Sequence, residues 1–116
     1  MTTSRIFTTV EFIQLSEEEP IRSIVTESPE AVVVMWCVLP GQQIQPHIHP
    51  TGQDTWVVLS GQGEYLLDQE GATQSIVPGQ IAVAQVGQVH GVINRGQEPF
   101  LFVSIVVPQD AGFQPV

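Results

Sequence analysis

Short apolar runs punctuated by glycine and proline set the rhythm of the chain. Runs rich in Val, Ile, Phe and Trp fall at 5–13, 21–26, 31–39, 54–60, 63–68, 73–77, 81–85, 89–94 and 100–107. Turn-forming stretches such as "LPGQ" at 39–42, "SGQG" at 60–63, "VPGQ" at 77–80 and "QVGQ" at 85–88 lie between them and recur about every ten residues. No window of a dozen residues sustains the i, i+3, i+4, i+7 apolar spacing of a helix without a Gly or Pro interrupting it. The pattern predicts an all-β sandwich or barrel of short strands with no helix longer than one turn. Gly-Gln pairs at 41–42, 52–53, 61–62, 79–80 and 87–88 point to a repeated turn chemistry, and the patternless tail 108–116 is expected over the surface or across one mouth of the barrel.

At 116 residues, with 42% hydrophobic positions, the chain fits one domain over 1–116 that buries a single core. No apolar run approaches the length of a membrane span, and the N-terminus reads as no secretory signal, so a cytoplasmic location is expected with no membrane partner. Twelve acidic residues against three arginines give a net charge of −9, which disfavours nucleic acid, because phosphate neutralisation needs clustered cations. The absence of lysine excludes Schiff-base chemistry through a lysine amine. Cys37 is alone and is read as a buried thiol.

The candidate chemistry lies in "PHIHPTGQD", residues 46–54. Side chains alternate along a strand, so His47 and His49 share a face. After the Pro50–Gln53 bend, Asp54 opens the next strand and is expected antiparallel beside His49, across a hairpin. His90, the third histidine of the chain, opens the run "HGVIN". Three imidazoles and a carboxylate suit a divalent transition ion such as Fe, Mn, Ni, Cu or Zn. An H-x-H pair by itself is more often two hydrogen-bonded histidines; the framing glycines change that balance.

From Gly41, five residues precede His47; Ile48, His49, four residues, Asp54, six residues and Gly61 follow. This resembles the first cupin motif, G-x5-H-x-H-x(3,4)-E-x6-G. Residues 79–94 resemble the second, G-x5-P-x-G-x2-H-x3-N, with Gly79, Gly87, His90 and Asn94 in place. The resemblance implies a double-stranded β-helix, a jelly-roll barrel holding a metal on His47, His49, His90 and a carboxylate. Asp54 stands where the family has glutamate. Gln53 is its rival, since the spacer varies; Asp54 is preferred because it keeps the six-residue step to Gly61 and neutralises part of the cation's charge. Gln85 replaces the motif's proline, which puts the rigidity of the loop before His90 in question. The glycines are read as turn positions with positive φ, and Asn94 as a bond to turn backbone.

Trp56 has the parity of Asp54 and is expected to flank the metal pocket. Trp36, Phe100 and Phe102 are further lining candidates whose plainer reading is core packing. The family hosts many activities, so three readings stand. The first is a metal-dependent enzyme on a small organic substrate, with dioxygenase-type oxidation favoured. A sugar or uronate isomerase or lyase comes next, and it needs a cation such as Arg22 at the mouth. A non-catalytic ligand-binding barrel is the third. Tyr65 is one of few side chains besides Asp54 available as a base. The partners expected are a small-molecule ligand and a second copy in a homodimer, through exchange of the terminal strand 5–13.

Overall fold

The computed structural model describes residues 4–116. Ten strands follow a single 3₁₀ turn: β1 (Ser23–Glu27), β2 (Val32–Val38), β3 (Gln43–Ile48), β4 (Gln53–Ser60), β5 (Gly63–Leu66), β6 (Thr73–Ile76), β7 (Ile81–Ala84), β8 (His90–Ile93), β9 (Phe100–Val107) and β10 (Gln114–Pro115). They form two five-stranded antiparallel sheets, ordered β1-β2-β9-β4-β7 and β10-β3-β8-β5-β6. This is the double-stranded β-helix that the cupin resemblance implies, within the all-β class that the residue pattern predicts. No described helix is long and apolar enough to cross a membrane.

Strict alternation builds the core. Along β9, Phe100, Phe102, Ser104 and Val106 are buried while the residues between them are partly exposed. Phe102 stacks on Trp56 with ring centroids 4.0 Å apart and on Trp36 at 6.4 Å, and Val38, Val58, Val92 and Phe100 pack around them. Phe100 and Phe102 therefore belong to the core. Cys37 is a buried free thiol whose pKa burial raises, as an inert core cysteine requires.

The 5–13 run, expected as a strand for exchange between copies, is instead coil followed by the 3₁₀ turn Thr9–Phe12. Its apolar residues do not alternate into the core, and Ile6 and Val10 are 89% and 65% exposed. The tail behaves as expected. Its β10 adds to the edge of β3, with Pro115 opposite His47.

Three Gly-Gln pairs do share one turn. In Leu39–Gln42, Val77–Gln80 and Gln85–Gln88 the fourth residue's N–H donates to the first residue's carbonyl, at 2.9–3.1 Å. The glutamine side-chain oxygen in turn accepts from the first residue's N–H, at 2.8–3.0 Å. Glycine at the third position has a φ of 76–92° in all three, the geometry of a type II turn. The third of these turns answers the question raised by Gln85: a proline there has no N–H to give to Gln88, and the side-chain clamp supplies the rigidity. Gly61 also has a positive φ, of 80°, and any Cβ on it would collide with the Pro99 carbonyl.

Asn94 closes the other end of the barrel and has no exposed surface. Its Nδ2 donates to the Val38 and Glu98 carbonyls, both at 2.8 Å, and its Oδ1 accepts from the Gly96 N–H at 2.9 Å. Replacing Asn94 with Ala strands these buried partners. Urea denaturation is expected to show a loss of about 2–3 kcal/mol.

Candidate metal centre

The candidate ligands come from both sheets. His47 on β3 and His90 on β8 are directly paired, with ring centroids 4.2 Å apart. His49 lies just beyond β3 and keeps the face of His47, with centroids 5.2 Å apart. Asp54 enters from β4, in the other sheet. The hairpin expected between His49 and Asp54 does not exist: β3 pairs with β8 and β10, and the Pro50–Gly52 link carries the chain across the sandwich instead. The four residues nevertheless meet, each offering a donor atom within 4.8 Å of the others. Gln53, one position earlier on β4, points outward and is exposed, its amide reaching only the Thr55 hydroxyl. Strand parity thus places Asp54 in the cluster and Gln53 outside it.

The hydrogen bonds fix how each imidazole presents itself. Nδ1 of His47 faces the Gln45 carbonyl at 2.7 Å, Nδ1 of His49 the Gly112 carbonyl at 2.6 Å, and Nδ1 of His90 the Gln88 carbonyl at 3.0 Å. A carbonyl oxygen can only accept, so each Nδ1 carries the hydrogen and each Nε2 turns a lone pair inward. Asp54 Oδ2 stands 3.2 Å from Nε2 of His49 and 3.1 Å from Nε2 of His90, while Oδ1 accepts a 2.5 Å bond from the Ser104 hydroxyl. Lone pairs facing a carboxylate are compatible only with added protons or a cation among them. The donor set therefore fits a divalent transition ion, and the three histidines with Asp54 are the residues that can hold it.

The electrostatics agree. Burial raises the Asp54 carboxyl, but contacts from His49, His90 and Ser104 outweigh it and hold the group well below the usual carboxylate range. Burial pushes His47 down to about 4, so this imidazole stays neutral and able to ligate. For His49, burial and the Arg22 charge work downward; Asp54 and the Gly112 carbonyl work upward and win, leaving it above its ordinary 6.5.

His47, His49 and Asp54 of the cluster line a cavity of about 800 Å³. Val32, Val34, Trp36, Trp56 and Val106 give it an apolar side, and residues 109–113 of the tail cross its mouth. Trp36 and Trp56 line it, whereas Phe102, a lining candidate, stacks against both from the core instead. Arg22 also lines it.

Three contributors escaped the sequence reading. Ser104 was hidden in the apolar run "FLFVSIVV", although a single hydroxyl at an inward position of a core strand is a readable signal. Gly112, whose carbonyl orients His49, and Phe113, whose ring lies 4.9 Å from that of His47, carry no comparable signal.

The sequence matches the Cupin domain family over residues 34–106. Among solved structures, a conserved protein with a double-stranded β-helix domain from Klebsiella pneumoniae shares 50% identity, with 98% of each chain covered and a TM-score of 0.94. KdgF from a Halomonas species is 26% identical, with 91% of this chain and 94% of its own covered and a TM-score of 0.76. The polyketide cyclase RemF from Streptomyces resistomycificus, at 16% identity, 98% and 86% coverage and a TM-score of 0.82, shares the fold. No curated protein sequence matches.

Two outcomes follow from the geometry. His90→Ala is expected to lose most of the metal measured by mass spectrometry after metal loading and desalting, and Gln53→Ala to keep it. Because a proton on His49 competes with the ion, zinc affinity is expected to fall as the pH is lowered, the fall beginning above the 6.5 of an ordinary histidine, with proton release on binding, both measured by calorimetry in buffers of different ionisation enthalpy.

Proposed function

The chain belongs to the cupin family, and on that premise we propose that it is a metal-dependent enzyme acting on a small organic substrate, with dioxygenase-type oxidation as its reaction. The observation that carries the reading is the convergence of three Nε2 lone pairs and the Asp54 carboxylate in one cluster, of which His47, His49 and Asp54 line a mainly apolar cavity large enough for a ring-sized molecule. An iron, copper or manganese ion held there would supply Lewis acidity and redox chemistry. The chain's own residues do the rest. The backbone carbonyls of Gln45, Gln88 and Gly112 hold the imidazoles in one tautomer, Ser104 holds the carboxylate, and Trp36 and Trp56 confine an enol or diketone-like substrate. In such a reaction both atoms of O₂ enter the substrate, whose own bonding electrons reduce them, so no external reductant is required.

Oxidation is favoured over proton-transfer chemistry because, among the described residues, the cavity holds no base outside the cluster except the Glu19 and Asp110 carboxylates. The three histidines are committed to the cluster. Tyr65 is buried, and desolvation and the Asp54 charge push its pKa up, so it stays protonated and serves as no base. One observation supports the isomerase or lyase reading: Arg22 reaches the cavity and could meet a substrate carboxylate. A non-catalytic binding barrel is the reading that lacks turnover altogether.

Oxygen uptake separates the three. Fe(II)-loaded protein is expected to consume O₂ in one-to-one proportion with a diketone or catechol from a small panel, and His47→Ala to lose that activity by at least a hundredfold. Isomerisation of a uronate without oxygen uptake would move the assignment to the second reading. Stoichiometric ligand binding with neither reaction would establish the third.

A further inference from the structure

Arg22 stands out once the metal cluster is accounted for. It is one of only three cations in a chain of net charge −9, and it lines the same cavity as His47, His49 and Asp54, just before β1 on the rim. In so acidic a protein a guanidinium has many carboxylates to pair with. Among the described residues it has none within ion-pair distance, since both such contacts are His–Asp pairs within the cluster. Its planar fork is thus free for an anion inside the cavity.

The walls restrict that anion further. Trp36 and Trp56 line the same cavity as Arg22 and the cluster, and their apolar ring surface suits a flat, conjugated body. Glu19 and Asp110 line the same cavity and repel a second negative charge, so a phosphate or dicarboxylate is disfavoured.

We propose that Arg22 is the carboxylate-recognition residue of the cavity, and that the ligand class is a planar aromatic or conjugated monocarboxylate whose far end reaches the histidine cluster. This rests on the metal-site reading for the far end only; the Arg22 subsite stands on the cavity itself.

The test uses zinc-loaded, ¹⁵N-labelled full chain with benzoate and its uncharged isostere benzamide as probes. The chain's two tryptophans both line the cavity, so their indole signals report binding directly. Trp56 Nε1 makes no hydrogen bond, which leaves its resonance free to respond to a nearby ring. Benzoate is expected to shift both signals saturably and to bind about tenfold more tightly than benzamide. Arg22→Gln is expected to abolish that preference with benzamide affinity and zinc content unchanged, and Arg22→Lys to retain part of it. Equal binding of the two probes, no shift with benzoate, or a preference that survives in Arg22→Gln overturns the proposal. A preference that disappears in chelator-stripped wild type also overturns it, because the carboxylate would then be seeking the ion. A preference that persists there, beside failure of His90→Ala to change metal content, upholds the Arg22 subsite and refutes the metal reading instead.

Discussion

A carboxylate with 4% of its surface exposed must be met by charge or by donors, or its burial would cost several kcal/mol. Asp54 meets this demand with the Ser104 hydroxyl on β9 and, across the sandwich, with Nε2 of His90 on β8 and of His49 just beyond β3, which answer it once they carry a proton or share a cation with it. The arrangement joins the two layers at one end of the barrel by polar contacts, while Trp56, Phe100 and Phe102 join them further in by packing. Each histidine has its outer nitrogen pinned by a backbone carbonyl, so the cluster cannot relax by turning its rings. The result is a preorganised set of lone pairs around a negative charge, the electrostatic condition that a cation fills.

The shorter acidic side chain makes sense in this setting. With aspartate in place of the family's glutamate, the carboxylate reaches both imidazoles while Ser104 takes its second oxygen. The backbone of β4 does not need to shift, because β4 is held between β9 and β7 over most of its length. Two structural layers thus supply three of the four cluster residues from strands, and His49 joins them from the link just beyond β3.

Much of this was legible in the chain. Period-two alternation and glycine turns gave strands close to their observed limits, as in 100–107 for β9 and 54–60 for β4, because these strands bury one face against a core. The six-residue step to Gly61 and the need for negative charge favoured Asp54 over Gln53, and the alternation of β4 is what places Asp54 inward and Gln53 outward. The reading failed where apolar residues do not report burial: Ile6 and Val10 look like strand positions and lie in solvent. It failed also in pairing, because the Pro-Thr-Gly-Gln bend has the composition of a hairpin loop whether the chain turns back within a sheet or crosses to the other one. The roles of Gly112 and Phe113 were invisible, since a backbone carbonyl has no sequence signature and its partner lies 63 residues away.

That separation has a consequence for how the protein is made. His47 and His49 emerge from the ribosome well before His90, and His49 acquires the carbonyl that fixes its tautomer only when residue 112 has been synthesised and has folded over the mouth. Before that, the chain offers two imidazoles and a carboxylate without the bond that orients His49. The complete, oriented donor set therefore exists only once the C-terminal segment has folded against β3.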